Sequence, residues 1–302
     1  MEFFLPMEPV IREQVFDNEE FTYQLKWDGV RMLAYSGKNQ VELINKRLNN
    51  RTAQYPELKA LTSILNGRKV ILDGEIVAFK ESRVSFPAVM RRDNARSERS
   101  IAMLLKEVPV SYIIFDLLWD GDKDLRTLPL TERKQRLREL MIPQNGIHVI
   151  EDFPSGSSLF SAVQATNLEG IVAKRKASPY LSGKKHRDWF KIKYRRRQEC
   201  VIGGYTVRNN TANSLLLGVY QGDSLHYVGR ASSGLSESAW EELHSVLSSL
   251  QSSIMPFISL PLKITRESYF VKPILVVEVE FAEWTETMHL RSPVIKKVRG
   301  EG

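Results

Sequence analysis

The chain has 302 residues, of which 42% are hydrophobic and 26% are charged, a balance that excludes a disordered or fibrous protein. No apolar run approaches about 20 residues, so the sequence predicts no membrane-spanning helix. Its first residues, 1–6, do not resemble a secretory signal. The single cysteine, Cys200, excludes an internal disulfide, which is typical of a reducing, cytoplasmic setting.

The net charge of +7 is unevenly distributed along the chain. Residues 1–197 contain 34 Lys and Arg against 25 Asp and Glu, whereas residues 198–302 contain 9 against 11. A basic body indicates a polyanionic partner such as nucleic acid, although many globular proteins are basic without binding one.

The first predicted strand ends at a lysine. Residues Phe21–Trp27 alternate in polarity, which predicts a strand, and Asp28-Gly29 predicts the turn that follows. Lys26 therefore lies at the end of a strand, beside a carboxylate and shortly before Arg31. A lysine held in a partly buried pocket can act as a nucleophile. By itself, the pattern is more typical of a hairpin with a solvated lysine.

The following residues predict alternating strands and helices. Residues 32–44 read as a hairpin around Gly37-Lys38-Asn39-Gln40, and residues 55–65 read as a helix. The arginine-rich residues 91–100 predict an exposed loop. A helix is predicted from Thr131 through Met141, with Pro143 after its end.

Three apolar stretches each carry acids where a hydrophobic core does not favour them. Asp73-Gly74-Glu75 interrupts a predicted strand pair over residues 70–79, Asp116 lies in a predicted buried strand, and Glu169 precedes another. Residues Trp189–Lys193 alternate apolar side chains with lysines, so Lys191 and Lys193 are predicted to share one face.

We expect these charged groups to surround one cleft. Two carboxylates there could hold Mg²⁺, and the basic side chains could hold phosphates. With the aromatic face of Phe115, they describe a nucleoside triphosphate site. The sequence contains neither a P-loop nor a G-x-G-x-x-G fingerprint. The cleft residues expected are Lys26, Asp28, Arg31, Arg47, Glu75, Glu169, Lys191 and Lys193.

The basic segment Tyr194–Gln198 predicts a boundary between a domain of residues 1–197 and a second of residues 198–302. The second domain has recurrent short strands and one helix, which Ser236 can cap. This pattern favours a small β-barrel of the OB type. The strands are predicted at residues 200–205, 214–220, 225–229 and 275–281.

Five motifs then occur in the order found in one known family. Residues Lys26–Arg31 match the K-x-D-G-x-R motif of covalent nucleotidyltransferases. The other four are Leu72–Val77, Phe115–Leu118, Leu168–Lys174 and Trp189–Lys193. The chain resembles an ATP-dependent DNA ligase, in particular the compact bacterial kind and the ligase module of bacterial non-homologous end-joining enzymes. The resemblance implies an α+β fold: an adenylation domain of antiparallel sheets with flanking helices, followed by an OB-fold barrel.

The resemblance also implies the chemistry. Lys26 would react with ATP to form lysyl-AMP, and the AMP would then pass to a DNA 5′-phosphate. The 3′-hydroxyl would finally displace AMP and seal the strand. Arg31 and Arg47 would hold ribose and phosphate oxygens. Glu75 would contact the ribose and, with Glu169, Mg²⁺ or Mn²⁺.

The same resemblance assigns the remaining nucleotide contacts. Lys191 and Lys193 would neutralise the triphosphate, and Phe115 would stack on adenine, although a core phenylalanine is equally typical of that strand. Gln24 and Leu25 would line the nucleotide pocket. Gln24 stands where many relatives carry Glu, and its amide oxygen can accept from the adenine amino group.

The pattern weakens at the C-terminus. Relatives usually continue Arg-x-Asp-Lys, whereas this sequence reads Arg299-Gly300-Glu301-Gly302, leaving Arg291 and Arg299 as candidates for DNA or pyrophosphate contact. A disordered basic tail is the alternative reading of this segment.

The resemblance implies nicked or broken double-stranded DNA as the substrate, a monomer without membrane contact, and a nucleoid-associated location in a bacterial cytoplasm. Ku or a repair polymerase is a candidate partner. Two alternatives stay open: an RNA ligase or capping-type nucleotidyltransferase, and a non-catalytic nucleic-acid-binding module of the same fold.

Overall fold

A computed structural model describes residues 2–300 except 39, 82, 142, 143, 145, 167 and 286. The chain divides into two compact units between Tyr194 and Arg195. The sequence places the boundary after residue 197, but a strand of the second unit already begins at Arg196 and pairs there with Phe281. No helix of the described residues is long and apolar enough to cross a membrane.

Two sheets form the first unit. Its strands are β1 (Glu8–Ile11), β2 (Phe21–Leu25), β3 (Val30–Gly37), β4 (Gln40–Asn45), β5 (Val70–Lys80), β6 (Arg83–Val84), β7 (Val110–Asp120), β8 (Lys123–Asp124), β9 (Ile147–Val149), β10 (Gly170–Arg175) and β11 (Lys185–Lys193). The smaller sheet has the order β1-β11-β10-β2. The larger has the order β4-β3-β5-β7-β8, with β6 paired to β5 and β9 paired to β7. Pairing is antiparallel except for β1 with β11 and β7 with β9.

The predicted hairpin is confirmed, since Gly37 of β3 pairs with Gln40 of β4; Asn39 lies outside the described residues. The strand pair predicted around Asp73-Gly74-Glu75 is wrong, because β5 runs through these residues without a break. Gly74 makes this possible: a Cβ there would lie 2.5 Å from the ring of Tyr112 on β7.

The helices of the first unit are α1 (Ala60–Ile64), α2 (Phe86–Asp93), α3 (Glu98–Glu107), α4 (Leu130–Leu140) and α5 (Gly156–Thr166), with 3₁₀ turns at Thr52–Gln54 and Pro56–Lys59. The helix predicted at 55–65 is therefore a 3₁₀ turn followed by one short α-helix, and α4 confirms the next predicted helix. Pro143, expected after its end, lies outside the described residues.

The exposed loop predicted at residues 91–100 is wrong, because α2 ends at Asp93 and α3 begins at Glu98. Arg92 is fully buried, and its guanidinium donates to the carboxylate of Glu57 and to the carbonyl oxygens of Gln54, Leu104 and Val108. This dense set of acceptors allows an arginine to replace an apolar residue in the core.

A hydrophobic core fills the space between the two sheets of the first unit. Leu33 and Ile71 of the larger sheet and Trp189 of β11 belong to it, and each is at most 1% exposed. This core brings the charged ends of β2 and β11 close to the middle of β5.

The second unit is a barrel-like sheet with one long helix. Its strands are β12 (Arg196–Arg208), β13 (Thr211–Gln221), β14 (Ser224–Ala231), β15 (Gln251–Ser252), β16 (Tyr269–Val271), β17 (Leu275–Phe281) and β18 (Val294–Gly300), and its helices are α6 (Glu237–Ser249) and α7 (Leu262–Arg266). The path runs β14-β13-β12-β16-β15, and β17 pairs with both β12 and β18. The four predicted strands are confirmed, and Ser236 caps α6 by accepting from the backbone N–H of Ala239.

The disordered-tail reading is wrong as far as Gly300. Residues 294–300 form β18, which pairs with β17 from Val294 opposite Glu280 to Gly300 opposite Leu275. Glu301 and Gly302 lie outside the described residues.

Candidate active site

A cavity of about 570 Å³ in the first unit is lined by residues of both sheets. It brings together every first-unit site residue predicted above: Gln24, Leu25, Lys26, Asp28, Arg31, Arg47, Glu75, Phe115, Glu169, Lys191 and Lys193. The two other predicted residues belong to the second unit. There Arg291 pairs with Glu283 at 2.5 Å and Arg299 pairs with Glu199 at 3.1 Å.

Lys26 follows the end of β2, and the register of the smaller sheet places it beside Glu169. Its backbone N–H donates to the carbonyl oxygen of Gly170 at 2.9 Å. Its Nζ lies 2.5 Å from Oε2 of Glu169, whose Oε1 lies 2.8 Å from Nζ of Lys193. One carboxylate therefore holds two ammonium groups at the cavity wall. The Lys26 side chain is 20% exposed, so it is partly desolvated and still reachable.

The carboxylate of Asp73 holds the guanidinium of Arg31 in a fixed position. Its Nε and one terminal nitrogen each donate to Asp73 at 2.6 Å, and that terminal nitrogen also donates to the carbonyl oxygen of Met7 at 3.2 Å. Tyr180 donates to the same Asp73 carboxylate at 2.7 Å. Burial disfavours the Arg31 charge, but Asp73 prevails and holds the pKa of Arg31 above its ordinary value. This geometry leaves the second terminal nitrogen, Nη1, for the cavity.

Glu75 is adjacent to this clamp but has no such partner. No hydrogen bond to its carboxylate forms within the part of the chain that the structure describes, and β3 places Arg31 opposite it. Burial raises the pKa of Glu75 to about 7, against the lowering influence of Lys26 and Arg31. Burial, followed by the charges of Lys26 and Lys193, lowers the pKa of Lys191. The cavity thus concentrates positive charge around an incompletely solvated carboxyl group.

Sequence reasoning missed Lys174, which lies in the fourth motif. Its side chain is 2% exposed and lines the cavity, and its Nζ has no hydrogen-bond partner among the described residues. The ammonium lies 4.1 Å from the ring centroid of Phe115 and 4.0 Å from that of Trp189. Burial lowers its pKa to about 7. The signal was present in the sequence: Lys174 directly follows the apolar residues Ile171–Ala173 and shares a strand face with Val172.

Gln24 is held by a residue outside the motifs. Its Nε2 donates to Oδ1 of Asp152 at 2.8 Å, and its side chain is 1% exposed. Its amide oxygen accepts no hydrogen bond in the described part of the chain, and it is not one of the fully enclosed unsatisfied atoms there. It therefore faces the cavity as an acceptor.

The carboxylates at this site suit a divalent cation only when a bound substrate supplies further oxygen ligands. No group of three or more His, Cys, Asp or Glu side chains able to hold a metal occurs among the described residues. Glu75 lacks a hydrogen-bond partner there, and Glu169 lies close enough to raise its pKa. Mg²⁺ commonly binds one or two carboxylates together with substrate phosphates and water. The two glutamates fit that arrangement.

Comparison with known proteins identifies the class. The family profile described as "ATP dependent DNA ligase domain" matches residues 7–193, and that of the "ATP dependent DNA ligase C terminal region" matches residues 208–301. The crystal structure of the ligase domain from Mycobacterium tuberculosis LigD is similar, with 30% identity, a TM-score of 0.59, and coverage of 99% of this chain and 96% of that one. The fold is that of a nucleotidyltransferase-type ligase.

The chain belongs to the ATP-dependent DNA ligase family. It is 33% identical over 280 residues to the multifunctional non-homologous end joining DNA repair protein LigD of M. tuberculosis, covering 90% of this chain and 35% of LigD. A mycobacterial DNA ligase D complexed with ATP and MES is 30% identical, has a TM-score of 0.59, and covers 100% of this chain and 97% of that chain. The chain spans about a third of the length of these curated relatives. The family and the fold class predicted from the five motifs are confirmed.

Proposed function

We propose that the chain uses ATP to seal 5′-phosphate/3′-hydroxyl breaks in double-stranded DNA through a lysyl-AMP intermediate. The observation that carries this is the position of Lys26 at the cavity wall, beside Glu169, Lys191 and Lys193. Nζ of Lys26, once deprotonated, attacks the α-phosphorus of ATP, so a P–N bond forms and the bond to pyrophosphate breaks. AMP then moves to a DNA 5′-phosphate, and the 3′-hydroxyl displaces it.

Phosphate recognition falls to the basic side chains of the cavity. Lys191 and Lys193 neutralise the transferring α-phosphate and the leaving pyrophosphate, because transfer at phosphorus depends mainly on positioning and charge stabilisation. Arg31 presents Nη1 from a rigid clamp, which suits a ribose or phosphate oxygen. Arg47, exposed at the rim, serves the triphosphate first and the nick 5′-phosphate later.

Base recognition falls to the inner wall. We assign the Gln24 amide oxygen to the adenine amino group and the unpartnered Nζ of Lys174 to an acceptor nitrogen of the same base edge, since both side chains lie on one face of the smaller sheet. Leu25 lines the pocket, and Phe115 supplies an aromatic surface for stacking.

Glu75 and Glu169 would hold Mg²⁺ or Mn²⁺, which supplies charge neutralisation at the phosphates when bound. The ionised form of Glu75 is the one that binds a cation. Because burial raises the pKa of Glu75 to about 7, a cation bound beside it would favour its ionised form near neutral pH.

DNA engagement beyond the cavity is assigned to Arg291 and Arg299. Since the LigD relatives are named for non-homologous end joining, we propose DNA repair as the setting, and Ku or a repair polymerase as recruiting partners of a monomeric ligase. We also propose a nucleoid-associated location in a bacterial cytoplasm.

Transfer of label from α-labelled ATP to the protein tests the proposal. Wild type should become labelled and Lys26→Ala should not, whereas Lys185→Ala, which removes an exposed lysine of the same sheet outside the cavity lining, should label normally. Labelling by GTP alone would favour a capping-type enzyme. Sealing of nicked RNA but not nicked DNA would favour an RNA ligase. Absence of any label would leave a nucleic-acid-binding module.

A further inference from the structure

A glutamine at position 24 can discriminate between adenine and guanine only if its amide is held in one orientation, whereas a glutamate needs no such restraint. A carboxylate offers only acceptors, whereas an amide offers an oxygen at one end and a donor at the other. Adenine presents an amino donor, and guanine presents a carbonyl oxygen at the same position. A freely rotating amide would therefore accommodate either base.

Asp152 removes this freedom. Its Oδ2 lies 2.6 Å from Nζ of Lys134 and 2.5 Å from the guanidinium of Arg138. Burial would raise the pKa of Asp152, but the charge of Lys134 and the hydrogen bonds from Lys134 and Gln24 hold it below its usual value. An ionised carboxylate only accepts hydrogen bonds. The amide end that faces Asp152 must therefore be Nε2, and the oxygen must face the cavity.

The backbone keeps this carboxylate in place. Phe153, the next residue, exchanges two hydrogen bonds with Tyr23 of β2, of 2.8 and 3.0 Å, so the Asp152 segment is in register with the strand that carries Gln24. Thr22, on the same face of β2, also donates to Oδ1 at 3.4 Å. Asp152 belongs to none of the five motifs.

We propose that Asp152 is a positioning residue for nucleotide specificity: by fixing the amide of Gln24 with its oxygen toward the cavity, it makes the enzyme select adenine over guanine. This inference rests on the proposed function, since it assigns the base end of the cavity.

The test compares kcat/KM for lysyl adenylation with that for guanylation, using α-labelled ATP and GTP. Asp152→Asn leaves an amide that can either accept or donate, so the amide of Gln24 can turn. The ATP-to-GTP ratio of kcat/KM should then fall about tenfold or more. The matched control is Asp188→Asn, since Asp188 is 19% exposed against 16% for Asp152 and also holds two basic partners, Arg175 and His186, but these partners do not line the cavity, whereas Gln24 does. Its ratio should equal that of wild type.

A reciprocal exchange separates orientation from damage to the fold. In the double variant Gln24→Glu/Asp152→Asn, the new carboxylate accepts from the new amide and turns its other oxygen to the cavity. The net charge and one hydrogen bond are preserved, so the ATP-to-GTP ratio should return to within about twofold of wild type.

Three results would overturn the inference. One is an unchanged kcat/KM for both nucleotides in Asp152→Asn. Another is an equal loss for both nucleotides, which marks a structural role. The third is a folded double variant that discriminates no better than Asp152→Asn. If wild type takes label from neither nucleotide, the proposed function itself fails, and that result is distinct from all three.

Discussion

Lys174 should limit the stability of the fold while serving its site, and Lys174→Met tests this. The ammonium is buried without a hydrogen-bond partner among the described residues. Its pKa falls from 10.5 to about 7 on folding, mainly through burial. A tenfold change in a protonation equilibrium corresponds to about 1.4 kcal/mol, so the charge costs at most about 5 kcal/mol at pH 7. The two cation–π contacts with Phe115 and Trp189 offset roughly 2–4 kcal/mol of this.

Lys174→Met should therefore raise the free energy of unfolding by about 1–3 kcal/mol at pH 7. The depressed pKa of the lysine means that its folded state sheds a proton, so the cost is full below pH 7 and vanishes above about 10.5. At pH 9.5 the electrostatic cost falls to about 1 kcal/mol. At that pH the lysine of the folded wild type is largely neutral, so there is little cation–π attraction to lose, and the advantage of the variant should shrink to about 1 kcal/mol or less.

Urea denaturation at pH 7 and pH 9.5 measures both numbers. Lys134→Met provides the contrast: Lys134 is as deeply buried, at 3% exposure, but pairs with Asp152 at 2.6 Å, so its replacement should destabilise by roughly 2–4 kcal/mol. Although Lys174→Met should be more stable than wild type at pH 7, it should be less active, with kcat/KM for ATP falling about tenfold because one base contact is removed. A variant less stable than wild type at pH 7, or a stabilisation that does not shrink as the pH rises, would refute the reasoning.

Three further outcomes are expected. Burial raises the pKa of Glu75 from 4.5 to about 7, so the stability it contributes is present below pH 4.5 and is lost as the pH rises through 7. In urea denaturation, the free energy of unfolding of Glu75→Gln should therefore exceed that of wild type by up to about 3 kcal/mol at pH 8 and should equal it at pH 4. Gly170→Ala should destabilise by more than about 2 kcal/mol and reduce adenylation, because its Cβ would lie 2.2 Å from the carbonyl oxygen of Ile192; normal melting of that variant would contradict the crowding. Binding to nicked DNA should weaken steeply between low and moderate salt, as fluorescence anisotropy would show, and a flat dependence would argue against phosphate contacts as its main source.

The sequence predicts the site residues because charges within apolar strands are unfavourable unless they serve a purpose. Lys26, Glu75 and Glu169 are conspicuous for that reason, and short motifs locate them. The same reasoning misled at residues 91–100, where arginines suggested an exposed loop. Arg92 is fully buried there, and its acceptors come from residues 12 to 38 positions away in sequence.

Long-range partners are also what the sequence could not indicate. Asp73 lies 42 residues from the Arg31 that it clamps, and Asp152 lies 128 residues from Gln24. Neither pairing follows from local periodicity, because Arg31 and Asp73 depend on β3 pairing with β5, and Gln24 and Asp152 depend on the segment of Phe153 pairing with β2. Lys174 was within reach of sequence reasoning, but a lysine near a strand end is ordinarily solvated, and only the rings of Phe115 and Trp189 show that it is not.

Structural charges and candidate site charges differ in whether another residue of the fold completes their pairing. Arg133 and Asp116 are both fully buried and bound to one another by two hydrogen bonds of 2.8 and 2.9 Å. Such a pair is complete without a ligand. Lys174 is also buried and Glu75 is partly buried, yet neither has a hydrogen-bond partner in the described part of the chain, and both line the cavity. An unpaired buried charge is unfavourable, so a fold retains it where a bound molecule completes the pairing. In the proposed function, Lys174 supplies a donor to the base and Glu75 supplies a carboxylate to the cation at the phosphates, which are the two complements that a nucleotide with its cation requires.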